Sequence, residues 1–149
     1  MNRRCPLPPV YALGAVVSII ALHFGWPLAT LLARPWNWTG LLVLIVGTTM
    51  TVVGARLFSR RGTTIKPYEE STRLVTDGIF RVSRNPMYLG FTLMLTGLAM
   101  LLGTLTPYLA VLAFIVLINE VFIKMEERML DETFGDEYVA YKQRTRRWI

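Results

Sequence analysis

The chain has 149 residues, of which 53% are hydrophobic and only 17% charged, with a mean hydropathy of +0.43. That is the length of one domain, too apolar for an ordinary soluble protein, in which about 25% of residues are charged, and too apolar to be disordered. Sixteen Lys and Arg against ten Asp and Glu give a net charge of +6, and a single cysteine, Cys5, with a single histidine, His23, excludes an internal disulfide framework and any cluster of Cys or His ligands for a metal.

Four apolar stretches approach the roughly 20 residues needed to cross a bilayer. The first runs over about residues 10–32, with a bend expected at Gly25-Trp26-Pro27. Met-Asn-Arg-Arg before it has the look of a signal sequence. The apolar run is longer than a usual signal core, however, and no small-residue cleavage site follows, so it reads as an uncleaved span. The second covers about residues 39–58, and the third about 87–103. The fourth starts at Pro107, a favourable first helical residue, and runs to about 123. Only the short uncharged Gly103-Thr104-Leu105-Thr106-Pro107 joins the last two, which makes them an antiparallel hairpin.

Charge placement gives the orientation. Fifteen of the sixteen basic residues lie before the first span, between the second and third, or after the fourth, leaving only Arg34 on the other side. The positive-inside rule then puts both termini and the middle loop in the cytosol. Basic residues distributed this way follow topology rather than one nucleic-acid-binding stripe. The expected fold is all-α: a polytopic membrane protein of about four transmembrane helices with a cytosolic C-terminal helical tail, residues 1–149 forming one domain. Trp26, Trp36, Trp38 and Tyr108 belong to an interfacial aromatic belt. Gly47, Thr51 and Gly54 share one helical face, as do Gly90 and Gly97, a spacing that lets helices approach closely in lipid. His23, alone in an apolar span, reads as a packing residue.

The chemistry collects on the cytosolic side. Thr76-Asp77-Gly78 marks a turn. In Arg84-Asn85-Pro86-Met87-Tyr88, Asn85 suits an N-cap and Pro86 the first turn of the third span. The unpaired N–H groups there, beside Arg81 and Arg84, make either an anion site or simply a capped helix with arginines snorkelling to the headgroups. The fourth span continues as a helix carrying Glu120, Lys124, Glu126, Glu127, Arg128 and Asp131; Gly135 breaks it, and a second short helix bears Tyr138 and Tyr141. Glu120 lies near the end of an apolar span. It reads equally as a functional ionisable group facing the interior or as an i,i+4 partner of Lys124.

The run Arg84-Asn85-Pro86-Met87-Tyr88-Leu89-Gly90 resembles the R-[HN]-P-x-Y-x-G signature of the isoprenylcysteine carboxyl methyltransferase and phospholipid N-methyltransferase superfamily. Glu126-Glu127 through Leu130, Phe134-Gly135, Tyr138 and Tyr141 is similar to its E-E-x-x-L-x-x-x-F-G-x-x-Y-x-x-Y signature, and Arg147-Trp148-Ile149 to the basic-apolar run closing many members. The matches cover about residues 77–149. The resemblance implies a membrane methyltransferase that holds S-adenosylmethionine on the cytosolic side and takes a lipid-like or prenylated acceptor sideways from the bilayer. On that footing Glu126 or Glu127 would accept the ribose hydroxyls, and Arg84, Asn85 and the Pro86 helix start would face the methionyl carboxylate. Tyr88, Tyr138 and Tyr141 would face the sulfonium cation, with Gly90 completing the motif. Arg81 or Arg144 would hold a carboxylate acceptor, whereas an amine acceptor would need a base such as Glu120.

One departure bears on substrate: members acting on isoprenylcysteine commonly carry His where this chain has Asn85. Two other readings stay open. Membrane sterol and enone reductases, which use NADPH, carry a similar R-x-P-x-Y-x-G, and a non-enzymatic membrane subunit would keep the helices without the pocket.

Overall fold

The computed structural model describes residues 7–60 and 74–149; Arg3, Arg4, Cys5, Arg61, Lys66 and Arg73 lie outside them. The described chain is helical, with α1 (Pro8–Gly25), α2 (Thr39–Arg60), α3 (Pro86–Leu102), α4 (Pro107–Leu117), α5 (Lys124–Phe134) and α6 (Asp136–Arg144). Short 3-10 turns occupy Trp36–Trp38 and Gly78–Arg81. A π-helical segment, Ile118–Ile123, joins α4 to α5 without a break.

The helix α1, the helix α2 with its leading 3-10 turn, and the α4–α5 rod are each long and apolar enough to span a membrane, while α3 has 17 residues. At about 1.5 Å per residue α3 measures roughly 25 Å, slightly short of the hydrocarbon core. It is also the best buried: Tyr88, Leu89, Gly90, Leu95, Gly97 and Ala99 are all enclosed. It packs along α2 on one side and against α1 and α4 on the other. Large apolar side chains of α1, α2 and α4, among them Leu13, Val17, Leu42, Ile45, Leu112 and Val116, point outward and exposed. In water such a surface would be an aggregation hazard; in a bilayer it is the lipid-facing side. This is an integral membrane protein.

The α2–α3 contact rests on glycine. A Cβ added at Gly47 would meet the carbonyl oxygen of Gly90 at 2.6 Å, and one at Gly97 would meet that of Gly40 at 2.6 Å. The backbones therefore touch, which is how helices gain dispersion energy where lipid removes the hydrophobic drive. Gly90 thus faces Gly47, and this contact by itself requires a glycine at that place in the signature.

The first span ends earlier than expected. α1 stops at Gly25 rather than continuing to residue 32, because Pro27 offers no N–H and excludes its predecessor from helical geometry: Trp26 sits at φ −154°, ψ 69° and Leu28 at φ 48°. The released segment folds over the α3–α4 connection. Leu31 and Leu32 N–H donate to Gly103 O at 2.8 and 3.1 Å, and Leu105 N–H donates to Ala29 O at 2.9 Å. Gly103 takes φ 79° to end α3 there. His23 Nδ1 bonds Thr104 Oγ1 at 2.8 Å, so it ties α1 to this connection as a packing residue. Trp26, Trp36 and Trp38 are exposed as a belt requires, whereas Tyr108 differs, being half-buried against the core of α1, α3 and α4.

The fourth span continues as one rod past residue 123, as the sequence predicts. Within the π-helical segment Ile118 and Ile123, five residues apart, are both fully buried. That spacing is set by i→i+5 bonding, and such insertions are frequent at functional sites. The wider turn resets the rotation of α5 relative to α4, bringing Glu126 and Glu127 towards the start of α3.

Candidate functional site

The site is assembled from three segments far apart in sequence: the start of α3, the first turn of α5, and the stretch after α6. Gly78, at φ 60°, turns the chain into the 3-10 turn. Tyr141 Oη donates to Phe80 O at 2.6 Å and fixes that turn to α6. Tyr138, Tyr141, Val75 and Phe80 form a small buried cluster with Leu130 and Phe134 around them.

Beyond the turn, residues 83–85 run beside residues 145–147. Arg84 N–H donates to Arg146 O at 2.9 Å. Asn85 Nδ2 and Ser83 Oγ both donate to Arg147 O, at 3.0 and 3.3 Å. Asn85 precedes Pro86 as the N-cap residue, but its side chain makes no capping bond; the expected cap is instead an anchor for the chain's last segment. The buried hydroxyl of Ser83 also accepts the Asn85 N–H at 3.1 Å.

The Arg84 guanidinium points into the cluster. Its Nη1 donates to Thr145 O at 2.8 Å and Lys142 O at 3.3 Å, and its Nη2 to Glu127 Oε1 at 2.9 Å. Its Nε is buried with no partner among the described residues. Arg147 clasps the same carboxylate, with Nε on Oε1 at 3.0 Å and Nη2 on Oε2 at 2.5 Å, while Nη1 reaches Asn119 Oδ1 at 3.4 Å. The bonds to Glu127 raise the Arg147 guanidinium above its ordinary value.

Glu126, the next residue, differs. Its Oε1 accepts the Tyr88 hydroxyl at 2.6 Å, and no guanidinium bonds it among the described residues. Two adjacent glutamates therefore differ in their partners: Glu127 is a hub between two arginines, and Glu126 is held by one hydroxyl with its other oxygen uncommitted among the described residues.

Of the residues singled out from sequence, Arg84, Asn85, Pro86, Tyr88, Glu126 and Glu127 come together. Tyr138 and Tyr141 lie beside the cluster in other roles. Lys142 Nζ sits 5.0 Å over the Tyr138 ring and is bound to both oxygens of Asp131 at 2.6 and 2.7 Å, so the cation-facing position of Tyr138 is filled from within. Burial raises both phenols, Tyr141 to about 12, and both stay neutral hydroxyls. Arg81 and Arg144 are exposed, outside the cluster. Glu120 pairs with Lys124 at 2.6 Å, half-exposed on both sides, the local partner that its spacing allowed. Sequence reasoning missed Ser83, Thr145 and the clasp of Arg147. The first two act through a hydroxyl and a carbonyl that carry no motif; Arg147 was visible only as part of a closing basic-apolar run.

Fold and site together define a polytopic membrane protein with an ion-paired cluster where the last two spans meet the segment after α6. Its residues 35–137 match the model of the phospholipid methyltransferase family, and the chain belongs to that family. It is 32% identical over 141 residues to protein-S-isoprenylcysteine O-methyltransferase A of Arabidopsis thaliana, covering 89% of this chain and 70% of the relative. It is 44% identical over 63 residues to an uncharacterised protein of Haemophilus influenzae, all of which is matched by 42% of this chain. The solved structure of the eukaryotic intramembrane Ras methyltransferase ICMT, isoprenylcysteine carboxyl methyltransferase, superposes with a TM-score of 0.68 at 25% identity, covering 97% of this chain and 52% of the other. The chain thus spans about half the length of that enzyme.

Proposed function

We propose that the protein transfers a methyl group from S-adenosylmethionine to a lipid-like or prenylated acceptor at the cytosolic face of the membrane, the inner membrane if the source is bacterial. The family match and the ICMT likeness support methyl transfer over the NADPH-reductase and subunit readings. The observation that carries the cofactor assignment is an orphaned buried donor, Arg84 Nε, two residues before α3, in the same cluster as Glu126, which is bonded to Tyr88 in the first turn of α3 and keeps its other oxygen uncommitted among the described residues.

Those residues suit the cofactor's groups. Glu126 would accept from the ribose hydroxyls, since Glu127 is already saturated by two arginines. Arg84 Nε and the first turn of α3 at Pro86, with its dipole, would face the methionyl carboxylate. Tyr88 would present its ring edge and hydroxyl nearby. Bound there, S-adenosylmethionine supplies an already activated methyl group, so no nucleophile on the protein is needed. The chain's contribution is to orient and to exclude water. For a carboxylate acceptor, Arg81 and Arg144 are available because both are exposed and neither has an ion-pair partner among the described residues. A base role for Glu120 is not retained, given its bond to Lys124.

Purified protein is to be incubated with methyl-labelled S-adenosylmethionine and a total membrane extract, alongside calorimetry with S-adenosylhomocysteine. Label in an extractable lipid or prenylated product and a binding heat that Glu126→Gln weakens about tenfold support the assignment. Absence of both label and binding heat overturns it.

A further inference from the structure

We infer that Arg147 is a positioning residue for the cofactor site and that segment 145–148 is one of its walls. The inference deepens the functional reading above and rests on it for the identity of the ligand. The backbone carbonyls of this segment accept from the start of α3 along three successive residues: Ser83 Oγ and Asn85 Nδ2 to Arg147 O, and Arg84 N–H to Arg146 O. A fourth bond, Arg84 Nη1 to Thr145 O, ties the guanidinium itself to the segment. Trp148 then packs partly buried against the core cluster to which Tyr88 and Phe122 belong. The segment is therefore anchored both to the residues preceding α3 and to the core of the bundle.

Arg147 acts through Glu127. It engages both carboxylate oxygens in the fork geometry that fixes a carboxylate's plane as well as its place. With that plane fixed, Oε1 holds Arg84 Nη2, and the Arg84 fork is planar, so its Nε direction follows. Without Arg147, Glu127 has one cationic partner instead of two and is free to rotate about its last bond, taking Arg84 Nε with it. Lysine cannot replace this constraint because its ammonium is a point charge without a fork. The segment thus places a donor it does not itself contribute.

The test is a double-mutant cycle on S-adenosylhomocysteine affinity, with hydrogen exchange of the peptide covering residues 82–90 as a second readout. Arg147→Ala is expected to weaken binding about tenfold and Arg147→Lys to recover less than half of that on a logarithmic scale. In a Glu127→Gln background the further cost of Arg147→Ala is expected to fall below about twofold, since residues in one network are not additive. Arg147→Ala is also expected to speed exchange in 82–90. Full rescue by lysine, or equal costs in both backgrounds, overturns the proposal. If the wild type binds no S-adenosylhomocysteine, the cofactor reading fails, and exchange decides for the segment alone: faster exchange in 82–90 keeps Arg147 as an organiser of the α3 start, and unchanged exchange removes it.

Discussion

The Tyr88 hydroxyl donates to Glu126 Oε1 at 2.6 Å, joining the first turn of α3 to the first turn of α5 across 38 positions of sequence. Among the described residues this bond is the shortest link between the two signature runs, and it leaves the other oxygen of Glu126 free to accept from a ligand. Glu126→Gln keeps an acceptor for the Tyr88 hydroxyl but removes the carboxylate charge. S-adenosylhomocysteine affinity should fall about tenfold, the size of one lost hydrogen bond to a charged group, while the ligand-free melting temperature changes little. Calorimetry and thermal melts measure the two.

Tyr88→Phe removes the hydroxyl that holds Glu126 Oε1. Loss of a hydrogen bond to a charged group costs roughly 1.5–3 kcal/mol. S-adenosylhomocysteine binding should fall about tenfold, and in a Glu126→Gln background the further loss should be smaller, since residues in one network are not additive. Equal losses in both backgrounds would mean that the hydroxyl and the carboxylate are not coupled.

Arg84→Met leaves the carbonyls of Lys142 and Thr145 without their donor and Glu127 with Arg147 alone. Breaking one partner of a buried ion pair costs about 3–5 kcal/mol, so a drop in unfolding temperature and loss of S-adenosylhomocysteine binding are expected together. Arg81→Ala and Arg144→Ala, both exposed, should leave that binding within twofold and raise the acceptor KM for a carboxylate substrate.

Gly90→Ala tests the helix contact. The added Cβ would lie 2.7 Å from Gly47 O, so α2 and α3 must separate, at a cost of roughly 1–3 kcal/mol or more. Gly14→Ala is the internal control: it meets nothing within 4 Å and should stabilise α1 by up to about 1 kcal/mol. Melting temperatures of the two variants in the same detergent should move in opposite directions.

His23→Ala removes the bond to Thr104 at the far end of the bundle. It should cost about 1 kcal/mol of stability and leave cofactor binding unchanged, separating the two ends of the molecule.

Composition and periodicity alone make the membrane spans legible, because the bilayer admits only long apolar helices with their backbone satisfied internally. The exceptions are local. α1 stops at Gly25 because Pro27 acts on its neighbours, a strong rule that a hydropathy window averages away. The π-helical segment Ile118–Ile123 leaves no mark in composition, since a single inserted residue changes rotation and not hydrophobicity.

Sequence by itself determined that the chain crosses a membrane, that Arg84 to Gly90 and Glu126 to Tyr141 are its two signature runs, and that small residues bring two helices close. Only tertiary structure decided which of two adjacent glutamates is clasped by arginines and which keeps an oxygen uncommitted. It also decided that Gly90 packs against α2, that Tyr138 and Tyr141 join a buried cluster with Val75 and Phe80, and that Arg147 clasps Glu127. The physical reason is that apolar patterning is read by a solvent with no positional detail, whereas the partners of a buried side chain depend on the handful of atoms within about 3 Å of it, and those come from segments that the sequence keeps 20 to 62 positions apart.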